Sequence, residues 1–377
     1  MILLRVSIFF LAMLLLPDWY IYKVFAKKNK ARWARYACWL PSVLLLVALA
    51  VFFITGQAYY NAFGIYIVVA LCVSVPKAVF VLSHWAFHRC KKAVLPLALC
   101  LASGTLVYLA FGATKGKHYY QVKQVAFYSS QLPLAFDGYR ILQVSDIHSG
   151  SWNGDVEAMR KAVELCNAQQ PDMAVFTGDL VNYKADEVMP YRTVLSELKA
   201  KDGVYAVLGN HDYATYVNWN SKADQIANIE NLIRCERKMG WNMLMNENRI
   251  IKRGNDSIAL VGVENSGNPP FPNRGNLPKA QRGTDGMFKV LLSHDPTHWR
   301  RNVLPETDIQ LMLAGHTHDM QFSIFGFSPA AFIYPEHRGM YLDGERGLYV
   351  NIGLGYVLFP MRLGAWPEIT VVTLKKK

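Results

Sequence analysis

The chain has 377 residues, 52% of them hydrophobic, and a formal net charge of +12. That length predicts two or three domains. The charge is unevenly placed: residues 1–117 hold 13 Lys and Arg against one acid, Asp18, while residues 118–377 hold 27 basic and 27 acidic residues. A neutral C-terminal domain lacks the basic footprint of phosphate-backbone binding, so no nucleic-acid partner is expected. The six cysteines form no CxxC, which argues against a zinc knuckle or a disulfide scaffold. Cys38, Cys72, Cys90 and Cys100 lie in or beside apolar stretches. Cys166 and Cys235 are read as two separate buried thiols, with a disulfide between them in an oxidising compartment as the alternative.

Four apolar stretches fill the first third: Ile2–Tyr22, Tyr36–Thr55, Asn61–Leu82 and Ala93–Gly112. Each is close to the roughly 20 residues that cross a bilayer as a helix. A signal peptide is an alternative for the first, but it leaves three further spans unexplained. The reading is a four-helix transmembrane anchor over residues 1–117. Lys23, Lys27, Lys28, Lys30, Arg32 and Arg35 fill the first gap, and Arg89, Lys91 and Lys92 lie in the third. The second gap, Gly56–Tyr60, has no charge. Positive loops stay cytoplasmic, so both termini and the C-terminal domain are expected outside, in a multi-pass protein of the inner, cytoplasmic membrane. Trp19, Tyr20, Tyr22, Trp33, Trp39, Tyr59, Tyr60 and Trp85 suit interfacial positions. Lys77 is read as snorkelling, with a lipid-headgroup contact as the alternative, and Arg5 and Lys77 leave the spans too poor in ionisable groups for a transporter.

Residues 118–377 form the second predicted domain, in which short β-branched runs alternate with helical patterns, the mark of an α/β fold. Arg140–Asp146 reads as a strand running into a loop. Asp155 reads as the N-cap of a helix to about Gln170. Met173–Thr177 is a second strand, Val188–Lys199 a helix, Gly203–Leu208 a third strand and Ala223–Met239 a helix. Later strands are Ser257–Gly262, Phe288–Leu292, Ile309–Leu313, Leu348–Val350 and Glu368–Leu374. Residues 265–287, rich in Gly, Pro and Asn, read as one long surface loop.

Residue types that bind metal recur just after these strands: Asp146 and His148, Asp179, Asn210, His294, then His316 and His318. In open α/β sheets ligands gather at the carboxyl ends of strands. A carboxylate, amide and imidazole set without thiolate suits Mn, Fe or Zn. Singly, each piece has an ordinary explanation: Gly-Asp is commonly a turn, and Gly-Asn-His-Asp can be an Asx turn. Together, five pieces in this order after five strands point to one two-metal site.

Asp-Ile-His, Gly-Asp-Leu, Gly-Asn-His-Asp, Ser-His-Asp and Gly-His-Thr-His resemble the motif set of the calcineurin-like metallophosphoesterases. The match spans residues 140–374, and Leu-Tyr-Val-Asn-Ile-Gly-Leu-Gly near its end is similar to the bacterial membrane-associated branch. The resemblance implies a four-layer α/β/β/α sandwich of two mixed sheets flanked by helices. It implies that Asp146, His148, Asp179 and His318 hold one divalent metal, and that Asp179 bridges to a second held by Asn210, His294 and His316. His211 resembles the residue that stabilises the transition state or protonates the leaving oxygen, with Asp212 orienting its imidazole. The sequence departs from the branch in one place: Asp319-Met320 stand where two glycines are usual, which puts the substrate in question. Arg338 and Arg362 are candidate phosphate binders, with a surface salt bridge as the ordinary alternative for each. Asp295 is read as shaping its loop, and Trp152 as cleft lining or core.

The function expected is a metal-dependent phosphoric ester hydrolase acting on a phosphomono- or phosphodiester, with an envelope or lipid-linked substrate. One alternative is a UDP-diacylglucosamine-type pyrophosphatase of lipid A synthesis, which needs the opposite topology. The other is a non-catalytic membrane scaffold or sensor, whose mark would be a lost ligand residue. The oligomeric state is not legible.

Overall fold

The computed structural model describes residues 2–55, 60–89 and 92–377. Tyr59, Cys90, Lys91 and most of the second gap lie outside the described residues, as do the side chains of Arg5 and Tyr60. The chain divides into two compact units, Met1–Gly116 with Leu358–Leu363, and Lys117–Val357 with Gly364–Lys377.

The first unit contains helices Ile2–Ile21, Leu40–Thr55, Tyr60–Ala86 and Val94–Thr114. Among the described residues three stretches are long and apolar enough to cross a membrane: Arg32–Phe52, Ala62–Ala86 and Val94–His118. Leu14, Leu45, Tyr66 and Ala70 form a small interior cluster. Leu44, Ile54 and Val107 stay exposed, as lipid-facing side chains do. Lys77 is paired within the unit. Its Nζ donates to Asp18 Oδ1 at 2.6 Å, to Ser42 Oγ at 3.2 Å and to the Cys38 carbonyl at 3.2 Å. The single acid of the first third thus neutralises the one lysine inside a span, because an unpaired charge there is costly.

The second unit holds twelve strands. They are β1 (Gln121–Ser129), β2 (Arg140–Val144), β3 (Met173–Phe176), β4 (Val204–Ala206), β5 (Trp241–Met243), β6 (Glu247–Arg253), β7 (Asp256–Gly262), β8 (Phe288–Leu292), β9 (Leu311–Ala314), β10 (Gly339–Asp343), β11 (Arg346–Val350) and β12 (Glu368–Lys376). One six-stranded sheet has the order β1-β12-β2-β3-β4-β5, the other β10-β11-β9-β8-β7-β6. Both are mixed: β2 to β5 run parallel and β12 antiparallel to β2, while β7, β8, β9 and β11 run parallel with β6 and β10 antiparallel at the edges.

Alternation of side chains along each strand builds the layers. Ile141, Met173, Val175, Ile258, Leu260, Val290, Leu292, Leu311, Leu313, Val372 and Leu374 point between the sheets into one buried cluster. Their neighbours Leu142, Ala174, Phe176, Ile369 and Val371 face a second cluster with Met159, Val163 and Cys166 of helix Val156–Ala168 and Leu232 and Cys235 of helix Lys222–Lys238. On the far side Ala259, Val261, Leu291 and Met312 pack under Leu277, Trp299 and Val303. This is the four-layer sandwich the motifs imply. Strands buried on both faces read as continuous apolar runs, which is why β2, β3, β7, β8 and β9 were legible.

Local signals explain the helices. Asp155 caps its helix as expected, accepting from Ala158 N at 2.9 Å. The predicted helix Val188–Lys199 is corrected to a 3-10 segment, Ala185–Tyr191, followed by one turn, Arg192–Leu195. Pro190 lacks the donor a regular helix needs there. Residues 265–287 are not one surface loop. They include helix Leu277–Ala280, and Leu277, Ala280 and Thr284 are buried. Trp152 is core, stacked on Tyr120, and Cys166 and Cys235 are free buried thiols.

Candidate metal centre

The carboxyl ends of β2, β3 and β4 in one sheet and of β8 and β9 in the other deliver every proposed ligand. Gln143, fully buried, stitches the sheets together just beneath: its Nε2 donates to Thr177 Oγ1 at 3.1 Å and to the Ala314 carbonyl at 2.8 Å. Past these ends the chain bends sharply. Five of the seven candidate ligands have left-handed backbones: Asp146 (φ 49°), His148 (48°), Asp179 (60°), His316 (77°) and His318 (50°). Such a conformation costs a non-glycine residue about 1–2 kcal/mol, and strain of this kind gathers at functional sites. Cross-loop bonds hold it in place, among them Asp146 N to Gly178 O at 2.9 Å and His148 N to Asp179 O at 3.1 Å.

The donor atoms converge in two groups. His148 Nε2 and His318 Nε2 lie 3.0 Å apart, and His318 Nε2 is 3.3 Å from Asp146 Oδ1. His294 Nε2 lies 3.1 Å from Asn210 Oδ1, and His316 Nδ1 lies 2.8 Å from the same oxygen. Asp179 Oδ2 stands between the groups, 3.2 Å from His294 Nε2 and 3.7 Å from His148 Nε2. Metal bonds of about 2.1 Å at tetrahedral to octahedral angles put neighbouring ligands about 3.0–3.4 Å apart; most of these spacings lie in that range and the 2.8 Å and 3.7 Å pairs lie just outside it, so the set fits two ions sharing Asp179. The triplets Asp146–His148–His318 and Asp179–His294–His316 each bring one ligand atom per residue within 4.8 Å of one another.

The electrostatics agree. Burial works against charge on His294, but Asp179 and Asp146 outweigh it and raise the imidazole to about 10. Burial lifts Asp146 to about 6, with His294 lowering it and Asp179 raising it. Burial also lowers His316 to about 4, leaving a neutral ring suited to ligation. The pocket thus concentrates carboxylate charge that a cation would neutralise. His294 Nδ1 faces the Thr177 carbonyl at 2.7 Å, so Nε2 is the nitrogen from which a bound cation would displace the proton. The motif glycines are needed for clearance: a Cβ on Gly209 would strike Asp179 Oδ1, and one on Gly315 would strike Asp146 Oδ2.

His211 borders the centre, its ring 4.8 Å from that of His148. Its backbone N donates to Asp179 Oδ1 at 2.8 Å, and its Nδ1 lies 2.8 Å from the Asn182 carbonyl. Asp212 does not orient it, which corrects the expectation. The fully buried Asp212 carboxylate instead accepts from Asp179 N at 2.8 Å, Leu180 N at 2.9 Å, Val181 N at 3.2 Å and Gly209 N at 2.8 Å. The Asn182 carbonyl, not Asp212, is the group that the His211 ring meets. Arg338 is committed within the protein, its Nη1 3.0 Å from Asp319 Oδ2. Arg362 is fully buried, so it is not a surface ion pair. Asp295 shapes its loop as expected, accepting from Thr297 N at 2.8 Å. The sequence reading missed an aromatic rim. Asn210 Nδ2 donates to Tyr216 Oη at 2.8 Å, Tyr334 Oη lies 3.0 Å from His316 Nε2, and the Phe271 ring is 4.8 Å from the His316 ring.

A two-sheet sandwich with a carboxylate-, amide- and imidazole-lined centre where its strands end defines a metallophosphoesterase. Residues 139–320 match the model of the calcineurin-like phosphoesterase family, and residues 4–117 match that of "Probable Calcineurin-like phosphoesterase, transmembrane domain". The chain is similar to the uncharacterized metallophosphoesterase YkuE of Bacillus subtilis, at 31% identity over 68% of this chain and 86% of that protein. It is similar also to a transmembrane protein with metallophosphoesterase domain from Bos taurus, at 27% identity over 99% of this chain and 89% of that one. Among solved structures, a dimetal phosphatase from Danio rerio aligns at 13% identity and TM-score 0.33, covering 58% of this chain and 88% of that one. The chain belongs to the calcineurin-like metallophosphoesterases, and it carries a membrane-anchoring domain.

Proposed function

We propose that this protein is a membrane-anchored phosphoesterase with two divalent metals, acting on a phosphomono- or phosphodiester of the envelope, with a lipid-linked ester as the favoured substrate. One observation carries the reading: a single carboxylate oxygen, Asp179 Oδ2, stands between His148 Nε2 and His294 Nε2. In this assignment Asp146, His148, Asp179 and His318 hold one ion, and Asp179, Asn210, His294 and His316 the other. Bound ions of the Mn, Fe or Zn type supply Lewis-acid polarisation of the phosphoryl oxygens.

The chain's own groups do the rest. The Asn182 carbonyl fixes the His211 ring through Nδ1, so Nε2 is the nitrogen left to deliver a proton to the leaving oxygen. Tyr216 and Tyr334 border Asn210 and His316, where their hydroxyls can orient a phosphoryl group. The Ile2–Ile21 helix joins the three membrane-competent stretches as a fourth span, over residues 1–117, and the enzyme domain occupies residues 118–377. The test uses the purified full-length protein with p-nitrophenyl phosphate and bis-p-nitrophenyl phosphate. Chelation is expected to abolish turnover and Mn, Zn or Fe to restore it. Full activity in thoroughly chelated protein shown by metal analysis to be empty sinks the proposal.

A further inference from the structure

The turn that carries His318 continues into a strongly exposed apolar surface. Residues Ser323–Phe327 form a tight hairpin closed by Ile324 N to Phe327 O and Phe327 N to Ile324 O, each 2.9 Å. Its two central residues have positive φ, 50° at Phe325 and 82° at Gly326. Such turns favour Asn or Asp followed by Gly. A phenylalanine at the tip is strained, and here it is 106% exposed. The adjoining turn Pro329–Phe332 adds Phe332 and Ile333, 81% and 60% exposed, with the Phe327 and Phe332 rings edge to face at 5.6 Å.

This surface is pinned to the metal centre. Arg338 holds Asp319 Oδ2 at 3.0 Å, Ser323 Oγ at 2.7 Å and the Gly326 carbonyl at 2.5 Å, so one guanidinium ties the hairpin to the residue after His318. Ser328 Oγ donates to the Asp319 carbonyl at 2.7 Å, and Tyr334, one residue past Ile333, touches His316. Chain connectivity also limits how far this surface can stand from the anchor. Gln321, at the foot of the hairpin, accepts from Val357 N at 2.6 Å, and the next residue, Leu358, opens the Leu358–Leu363 segment that clusters with the anchor helices. Six residues separate the end of the last anchor helix, Thr114, from β1, a reach of at most about 20–25 Å between the two.

We infer that Ile324, Phe325, Phe327, Phe332 and Ile333 form a wedge that inserts into the bilayer surface and brings the metal centre against phosphoesters of membrane lipids. Rigid aromatic and aliphatic tips of this kind partition into the headgroup–acyl boundary. The lipid-substrate half of this inference rests on the phosphoesterase reading; the docking half does not.

The experiment places full-length Phe325→Trp in nanodiscs of phosphatidylethanolamine and phosphatidylglycerol whose acyl chains are brominated near the glycerol. Leu134→Trp is the control, exposed at the opposite end of the sheets, before β2. Difference emission against the wild-type protein isolates the added tryptophan. For Phe325→Trp the expected result is a blue shift and loss of intensity in brominated lipid. For Leu134→Trp it is neither. Equal emission of Phe325→Trp in brominated and plain lipid overturns the inference. So does quenching equal to that of Leu134→Trp. If emission stays unquenched while Phe325→Ser abolishes a concentration-dependent dimer, the surface covers a second copy and the inference is likewise overturned. Wild-type turnover of p-nitrophenyl phosphate with Mn, measured in parallel, tests the phosphoesterase reading separately, because quenching decides docking whether or not any ester is cleaved.

Discussion

Asp212 follows His211 in the chain yet turns away from it, and the difference is measurable. His211 contacts the centre through its ring, so His211→Ala is expected to keep both metals and slow turnover by about 10²–10⁴-fold. The loss should shrink for esters with good leaving groups such as p-nitrophenol. An equal loss for poor and good leaving groups would assign His211 to charge stabilisation rather than proton donation. Asp212 accepts four backbone amides. Asp212→Ala strands them, at about 1–3 kcal/mol for each one left unsatisfied. It should therefore lower the melting temperature and the metal content, with no leaving-group dependence in what activity remains. Asp179→Asn removes the charge set between the two donor groups and is expected to lose one or both ions with the fold kept. Two ions per chain by metal analysis and normal turnover would end the bridging assignment. At this scale the sequence was informative about which candidate ligands meet and poor about their surroundings. The seven candidate ligands stand in motifs directly after strands, where chain direction alone brings them together. Tyr216, Phe271 and Tyr334 lie in irregular loops, where no periodicity marks which way a side chain faces. Asn182 acts through its backbone carbonyl, which no residue type announces.

Strands are where legibility divides most cleanly. The four that the sequence reading passed over, β1, β5, β6 and β10, are the four edges of the two sheets. Edge strands face water along one side, and these carry Lys123 and Gln124, Asn242, Arg249 and Lys252, and Asp343 among their apolar residues. Their patterns are broken, whereas the inner strands are apolar on both faces. The His318–Gln321 turn shows the same competition in the backbone. Four consecutive residues, His318, Asp319, Met320 and Gln321, have φ between 48° and 62°. Glycines would enter this conformation freely. Here the Arg338–Asp319 pair and Ser328 hold it instead. The positive-φ turn therefore stands in this chain without glycine at 319 or 320. Met320→Gly is expected to retain both ions. Met320→Val sets a β-branched side chain at a positive φ, a strain of order 1–3 kcal/mol, and should release metal from the His318 side. Equal metal content in the two variants, by elemental analysis, would show that backbone strain in this turn has no bearing on the site.

Across the whole molecule, charge is partitioned by location. The C-terminal domain is balanced, and the excess lies in the anchor. Inside the spans the Asp18–Lys77 pair cancels its own charge and so gives no orientation signal. Orientation is left to the gaps: six basic residues in the first and three in the third against none in the second. Basic loops are retained on the cytoplasmic side. On the proposed count of four spans, both termini are expected outside and the metal centre on the extracytoplasmic face. Lys115, Lys117 and the terminal Lys375, Lys376 and Lys377 pull the other way. They number five against nine, and the terminal three lie more than 250 residues beyond the last span, outside the range over which the rule operates. A reporter that matures only outside the cytoplasm, such as an exported alkaline phosphatase fused after Lys377, is therefore expected to be active. A fluorescent protein that matures only in the cytoplasm should stay dark at the same junction. Fusions after Lys30 should give the reverse pair of signals, because that residue lies in the first basic gap. Dark exported reporters and bright cytoplasmic ones at Lys377 would turn the protein over. The phosphoester substrate would then have to be sought among lipids and nucleotides of the inner leaflet and cytoplasm.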